Sequence, residues 1–361
     1  MNFRKVTQLL LSICLLVACD SNKYTVIGVF PDTSYDGEKL YIFDSLTNDK
    51  VDSAIVKKNK VTFSGSARVE SVCSYIQTDF GLVEFFIEKG ETLLDFKDLT
   101  VEGGFLNQEK LRFNQYLSDF FFSSKARLDS VRSDTTVSRQ EADLNTRLFY
   151  EKEILPQQKK DFERLITEHS DNVLGILILY EASSILSDEE LLTYIALLDP
   201  IVQKHSVIEE LKENKSNILR SKEGELYIDL DVKNKKGEDV SLSTYIGKGK
   251  HTLVSFLATW SVSCLSEISY LKDIYFKYSD KDFELLNVLV WDKQGEAEQW
   301  SKEMDLPWIQ LFDKKSKAMD LYAIEGVPYS ILFSPKGKII ARGERIENLD
   351  TRLEDLLTSA L

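Results

Sequence analysis

The stretch SFLATWSVSCLSEISYL, Ser255–Leu271, decides the fold expected for the last third of the chain. Its first half is an apolar run of the kind found in buried strands, and it ends at Trp260. A helical pattern begins at about Ser263, and a single cysteine, Cys264, lies four residues after Trp260. The stretch therefore predicts a strand, a short loop and a helix with one thiol near its start.

The surrounding sequence, from about Glu223 to Leu361, alternates strand-like and helical segments. FELLNVLVW is an apolar strand, a helix is predicted over about Glu296 to Met304, and PYSILFSP and KIIARG flank a Lys-Gly turn typical of a hairpin. Strand–helix alternation followed by a hairpin predicts an α/β sheet with mixed strand directions.

This last third, roughly Tyr227 to Leu357, resembles the thioredoxin-like family that includes the envelope thiol–disulfide oxidoreductases and the alkyl hydroperoxide reductase/thiol-specific antioxidant proteins. The resemblance rests on GEDVSLSTYIGK, on VSFLATW, on IEGVPYSILFSPKGKII, and on Glu267, which follows Cys264 as in the family's C-x-x-E. It implies a thioredoxin-like fold with Pro328 as a cis residue.

The first cysteine of the family's C-x-x-C is replaced by Ser261. Thiol–disulfide exchange needs an attacking thiolate and a second thiol that resolves the mixed disulfide. A serine hydroxyl supplies neither, so the sequence predicts no dithiol oxidoreductase activity. Ser261 is predicted to cap the helix, and Cys264 to be a buried apolar residue.

A groove for an extended peptide is one function that the resemblance implies. Trp260 would form one side, and Val327, Pro328 and Tyr329 the other, with Trp260 and Tyr329 exposed. Such a groove can bind by strand-like backbone pairing without any thiolate. The first hypothesis is therefore a non-catalytic peptide- or protein-binding module that needs no cofactor.

A single-thiol redox protein is the alternative. Ser261 to Cys264 also resembles the T/S-x-x-C of peroxiredoxins, which implies a reactive Cys264 with an arginine beside its sulfur. Arg342 and Arg345 are the arginines that the sequence offers. Catalytic candidates are accordingly Cys264, Ser261 and Glu267, none of them assigned with a definite role.

Hydrolysis by Ser261 and metal binding have little support. The chain has no G-x-S-x-G motif around Ser261, and His251 lies ten residues earlier, at the other end of the predicted strand, about 30 Å of extended chain away. The three histidines have no metal-ligand spacing. No metal site is predicted.

The N-terminus predicts a lipid-anchored envelope protein. Arg4 and Lys5 precede the apolar run Leu9–Val17, which is too short to span a membrane and is typical of a secretory signal. The run ends in LVAC, which resembles the bacterial lipobox and implies lipid attachment at Cys19. The net charge of −14 argues against nucleic acid as a partner. We expect a Gram-negative, periplasm-facing location.

The domain organisation follows from changes in pattern along the chain. Short Val-, Ile- and Phe-rich runs with turn signals at Gly37 and Gly90 predict a small antiparallel sheet or sandwich, and Cys73 falls in one of its strands as a buried residue. A helical pattern follows, in which Ser187 and Glu190 have the spacing of a capping box. The layout resembles that of a group of Bacteroidetes lipoproteins. The predicted segments are a signal (1–18), a tether (19–23), a β domain (24–100), a helical region (101–222) and a thioredoxin-like domain (223–361).

Overall fold

The computed structural model describes residues 23–66, 72–293, 295–313 and 315–358. The predicted signal and the lipid-attachment residue Cys19 lie outside these ranges. The chain divides into two compact units. The first runs to residue 185 and includes 196–207, and the second comprises 186–195 and the chain from residue 208 onward.

The first unit begins with a sandwich of two four-stranded sheets. One sheet has the order β4-β1-β7-β8 and the other the order β3-β2-β5-β6. The strands are β1 (Lys23–Val29), β2 (Lys39–Asp44), β3 (Lys50–Ile55), β4 (Lys60–Ser66), β5 (Val72–Thr78), β6 (Gly81–Ile87), β7 (Gly90–Asp95) and β8 (Thr100–Glu102). The pairing is antiparallel except between β1 and β7, which run parallel, so the sheet is not the purely antiparallel one expected.

Alternation of apolar and polar residues fills the space between the two sheets. Val26 and Phe63 of one sheet belong to the same buried cluster as Ile42 and Ile76 of the other. The turns at Gly37 and Gly90 have φ angles of 92° and 102°, a region that glycine adopts without steric cost. The sequence signals for turns at these two positions are confirmed.

Helices follow in the order α1 (Phe105–Arg132), α2 (Arg139–Phe149), α3 (Leu155–Glu168), α4 (Val173–Ser183), α5 (Asp188–Ile195) and α6 (Ser206–Arg220). A π-helical turn, Tyr150–Ile154, joins α2 to α3 without a break. The predicted capping box is present at α5, because Ser187 Oγ accepts from the Glu190 amide at 3.2 Å and the Glu190 carboxylate accepts from the Ser187 amide at 2.8 Å.

The start of α1 is fixed to the sandwich by side chains. The carboxylate of Glu88, the residue after β6, accepts from the amides of Leu106 and Asn107 at 2.9 and 3.3 Å, which satisfies two of the free N–H groups at the helix start. The buried Asn107 amide in turn bonds both backbone groups of Phe86. The sandwich and the first helix therefore form one unit.

The second unit contains a seven-stranded sheet of order β10-β9-β13-β12-β11-β14-β15. Its elements are β9 (Asp231–Asn234), β10 (Asp239–Ser241), β11 (His251–Leu257), α7 (Val262–Tyr278), β12 (Phe283–Leu289), α8 (Glu296–Met304), β13 (Ile309–Phe312), α9 (Lys317–Leu321), β14 (Tyr329–Phe333), β15 (Ile339–Arg342) and α10 (Ile346–Thr358). Strands β11, β12 and β13 are parallel, and the outer strands are antiparallel to their neighbours.

Both faces of β11 are buried, which explains its unbroken apolar sequence. Leu253 and Leu257 pack on the face covered by α7 and α10, whereas Val254 and Phe256 pack on the opposite face with Tyr322. The predicted multidomain fold is confirmed: a β-rich N-terminal region, a helical middle and a C-terminal α/β sheet of mixed direction. No helix among the described residues combines the length and apolar composition of a membrane span.

Candidate functional site

Ser261 is the N-cap of α7, as the sequence predicts. Its backbone is extended, with φ −87° and ψ 117°, and its Oγ accepts from the Cys264 amide at 3.4 Å. A second contact joins Ser261 Oγ to Ser263 Oγ at 2.9 Å. The hydroxyl therefore satisfies a free N–H at the helix start, and it has no basic group beside it to activate it as a nucleophile in the described part of the chain.

Cys264 lies in the core and not at the surface. Its side chain is 2% exposed and belongs to the same apolar cluster as Leu257 and Ile268. Its Sγ accepts a long hydrogen bond of 3.5 Å from the Ala258 amide. Burial raises the pKa of the Cys264 thiol, so the sulfur is held in its neutral form. A neutral buried thiol is a poor nucleophile.

Glu267 lies one turn further along α7 and also points inward. Its Oε1 accepts from Ser330 Oγ at 3.4 Å and from Ser255 Oγ at 3.5 Å. Burial raises the pKa of this carboxyl group. When ionised, Glu267 raises the pKa of Cys264 further, because its negative charge disfavours a thiolate.

Two neighbouring residues of this site, Trp291 and Asp292, were missed by the sequence analysis. Asp292 Oδ1 accepts from both the amide and the hydroxyl of Thr259, at 2.9 and 2.6 Å, and burial raises the pKa of its carboxyl group. Trp291 has a φ of 58°, which is unusual for a bulky residue, and is 41% exposed. The Trp260 indole N–H donates to the Trp291 carbonyl at 3.1 Å. Their only sequence signal is a position two and three residues after the end of β12.

Trp260 is 61% exposed, so two exposed tryptophans are linked through the hydrogen bond from the Trp260 indole to the Trp291 carbonyl, next to the start of α7. Val262 and Leu265 in the first turns of α7 are exposed as well. Large apolar side chains exposed as a group, and not singly, are typical of binding surfaces. The apolar surface around Trp260 is therefore wider than the sequence alone indicated.

The Pro328 loop lies at the same end of the sheet. Residues 256 and 329 are paired between β11 and β14, so the loop after β11 and the loop before β14 emerge side by side. The Val327–Pro328 peptide bond is cis, as expected. Tyr329 was expected to be exposed, and this is wrong: the side chain is half-buried and its hydroxyl accepts from Arg342 Nε at 2.9 Å.

Neither arginine proposed as a partner of the sulfur has a hydrogen bond to it in the described ranges. The Arg342 guanidinium donates to the carbonyls of Ser221 and Tyr322, where it joins the end of α6 to the sheet. Arg345 is exposed on the loop before α10. His251 begins β11, at the end of that strand remote from Ser261. The described residues contain no group of three or more His, Cys, Asp or Glu side chains that could hold a metal ion.

Cys73, the other described cysteine, is buried in β5 of the first unit. Burial raises the pKa of its thiol to about 12. Its predicted place as a buried residue within a strand is confirmed. Each unit therefore contains one free, buried thiol among its described residues.

Comparisons with known proteins match two parts of the chain. Residues 224–342 match the AhpC/TSA family, and residues 24–109 match a domain of unknown function, DUF4369. A thiol-disulfide oxidoreductase ResA of Oceanobacillus iheyensis is 32% identical over 120 residues, which are 32% of this chain and 62% of that protein. A ResA of Bacillus cereus is 26% identical over 129 residues, 36% of this chain and 72% of that protein.

Among solved structures, the thioredoxin domain of a thiol-disulfide oxidoreductase from Bacteroides vulgatus is 29% identical. The match covers 38% of this chain and 98% of that one, with a TM-score of 0.34. The chain thus spans less than two thirds of the length of the Oceanobacillus relative.

Proposed function

We propose that the chain belongs to the thioredoxin-like oxidoreductase family through its AhpC/TSA domain at residues 224–342. From this premise we propose that the domain binds an extended peptide or protein segment and does not catalyse thiol–disulfide exchange. The observation that carries the proposal is the placement of Ser261 and Cys264. The residue at the helix start is a serine used as a cap, and the one thiol of the unit is 2% exposed.

Exchange chemistry would need a thiolate that a substrate disulfide can reach. The burial of Cys264 disfavours exchange in two ways: it blocks access of a substrate disulfide to the sulfur, and it raises the pKa of the thiol. Glu267 and Asp292 add negative charge nearby, which also disfavours a thiolate. These features support loss of the redox reaction with retention of the surrounding surface.

The binding surface would be formed by Trp260, Trp291 and the loop of Val327, Pro328 and Tyr329. Exposed indole rings offer a large apolar contact area at low conformational cost. An extended segment would pair with the backbone of this loop in the manner of an added strand. Tyr329 would contribute through its position in the loop, because Arg342 already occupies its hydroxyl.

A peptide array tests this function. The full chain is incubated with overlapping peptides from envelope proteins, and bound protein is detected alongside Trp260→Ala and a matched control, Phe276→Ala. Phe276 is 70% exposed and lies on the same helix, fourteen residues after Val262 and so about 21 Å along its axis. We expect Trp260→Ala to lose at least tenfold in affinity and Phe276→Ala to bind as the unaltered chain does. The proposal would be contradicted if the two variants bound peptides equally well. It would also be contradicted if neither variant nor the unaltered chain bound any peptide.

The single-thiol alternative would require an accessible sulfur with an arginine beside it. The buried Cys264 and the engagement of Arg342 elsewhere do not favour it. Stopped-flow peroxide consumption and sulfenic-acid labelling decide between the two functions. Rapid oxidation of Cys264, abolished in Cys264→Ala, would support the single-thiol function instead.

We further propose that the chain is anchored in the cell envelope through lipid on Cys19, facing the periplasm. The motif LVAC and the preceding apolar run support this location. Metabolic labelling with an alkyne-tagged fatty acid should mark the chain and should fail in Cys19→Ala. Labelling that survives this substitution would place any acyl group elsewhere.

A further inference from the structure

The helices of the first unit flank a cavity, partly open to solvent, that lies apart in sequence from the proposed peptide-binding surface. Helix α1 runs antiparallel to the continuous helix formed by α2, the π-helical turn and α3. The two are joined at one end by the Tyr116 hydroxyl on the Asp161 carboxylate, at 3.2 Å. They are joined at the other end by Arg132 Nε and the Asp143 carboxylate, at 3.1 Å. Between these contacts lies a space of about 670 Å³.

The π-helical turn lies at the middle of this cavity. Two of its five residues, Tyr150 and Ile154, line the space opposite Ser124 and Leu128 of α1. A π-helical turn inserts an extra residue into the helix at a cost in hydrogen-bond geometry, and such turns occur frequently at functional sites. The cavity therefore coincides with a departure from regular helix in one of the two helices that flank it.

The dimensions of the cavity limit what can occupy it. It extends along α1 from Leu117 to Arg132, fifteen residues or about 22 Å at the helical rise. The space is elongated along the helix axis, which suits one extended, unbranched chain.

The chemistry of the lining favours hydrocarbon over peptide. Leu117, Phe120, Leu128 and Ile154 present apolar surface along its length. An extended peptide would bury its amide groups there without partners, which is costly. The Thr146 hydroxyl on the cavity wall already donates to the Ala142 carbonyl at 2.7 Å.

The charged residues at the rim of the cavity do not favour a ligand head group of either charge. They are two cations and two anions, all exposed: Lys125, Arg132, Asp129 and Glu181. We propose that this cavity binds a single-chain amphiphile of the fatty-acid type through its acyl chain, with the head group at the rim. Recognition rests on chain length and not on head-group charge.

A displacement titration tests the site. The full chain carrying Cys19→Ser, so that no lipid of its own is attached, is saturated with cis-parinaric acid, whose fluorescence rises in apolar surroundings. Saturated fatty acids of increasing length and the matching primary alcohols then compete. We expect one site per chain, affinity that rises about fourfold per added methylene, and equal competition by acid and alcohol of the same length.

Two cavity variants and one control locate the site. Leu128→Glu places a charge on the cavity wall and should weaken binding at least tenfold. Leu111→Glu, on the same helix but outside the cavity and 67% exposed, should leave binding unchanged. Ser124→Trp should abolish binding by filling the space without adding charge. Equal loss in Leu128→Glu and Leu111→Glu, or no loss in either, would overturn the proposal.

Circular dichroism shows whether each variant is folded. If Leu128→Glu and Ser124→Trp are both unfolded, the competition series on the unaltered chain decides alone. Absence of saturable binding, or binding independent of chain length, overturns the proposal. A third result would also overturn the proposal: light scattering shows a dimer, Leu128→Glu disrupts that dimer, and no amphiphile binds. The cavity wall would then be an interface between copies of the chain.

Discussion

Replacing Ser261 by cysteine should create a working dithiol at this site. Ser261 is the N-cap of α7, and its Oγ lies 3.4 Å from the Cys264 amide. Cysteines at these two positions would have the Cys-X-X-Cys spacing at a helix N-terminus, the arrangement in which redox-active thiols pair as a disulfide. The new thiol would occupy the position now held by an N-cap oxygen.

The magnitude follows from the helix start. An anion at the N-terminus of α7 gains about 1 kcal/mol, which raises the ratio of thiolate to thiol about fivefold over that of an ordinary cysteine. Loss of the serine cap costs about 1 kcal/mol of stability, which a packed α/β domain tolerates. Ser261→Cys should therefore reduce insulin in the presence of dithiothreitol at a rate clearly above that of the unaltered chain.

The assay is insulin turbidity, with the double variant Ser261→Cys/Cys264→Ala as the control that keeps the new thiol but removes its partner. This control should form mixed disulfides without turnover. Mass spectrometry reports whether the disulfide between positions 261 and 264 forms in air. If that disulfide forms and the rate still equals that of the unaltered chain, the missing thiol is not what prevents catalysis, and the reasoning fails.

Three further predictions concern burial and capping. Alkylation of Cys264 and Cys73 by iodoacetamide, followed by mass spectrometry, should be at least a hundredfold slower in the native chain than in urea, and fast native labelling of Cys264 would contradict its burial. Burial raises the pKa of Glu267, so ionisation of this carboxyl group destabilises the fold. In urea unfolding, Glu267→Gln should therefore be more stable than the unaltered chain at pH values above about 4.5 and equally stable below that pH. A gain in stability found only at acidic pH would contradict this prediction. Glu88→Ala should cost about 1–2 kcal/mol in the same assay because two helix N–H groups lose their acceptor, whereas Glu91→Ala, at an exposed position, should cost less than 0.5 kcal/mol.

The parts of the fold that sequence could predict are those fixed by local pattern. Strand β11 is buried on both faces, so its apolar and polar residues do not alternate, and the continuous apolar run predicts a central strand. Ser261 is a serine directly before a helical pattern, and it caps α7 as such residues do. The parallel pairing of β1 with β7 was not predictable in this way, because the two strands are more than sixty residues apart in sequence and nothing local fixes their direction.

The candidate site shows the same division. Trp260 and Pro328 could be identified because each belongs to a recognisable segment. Trp291 and Asp292 could not, since they follow β12 and reach the site only through the parallel register of β11 with β12, in which Leu257 is opposite Leu289. The exposure of Tyr329 was misjudged because its hydroxyl partner, Arg342, lies on the next strand of the hairpin.

A serine at position 261 has different consequences for the two functions considered. A dithiol redox site needs an attacking sulfur, and Ser261 does not supply one. The proposed binding surface depends on exposed area, which Trp260 and Trp291 supply without a thiol. The buried carboxyl groups of Glu267 and Asp292 would hinder a thiolate but need not hinder a bound peptide. Selection for exchange chemistry would act against this combination, whereas selection for binding alone would leave it in place.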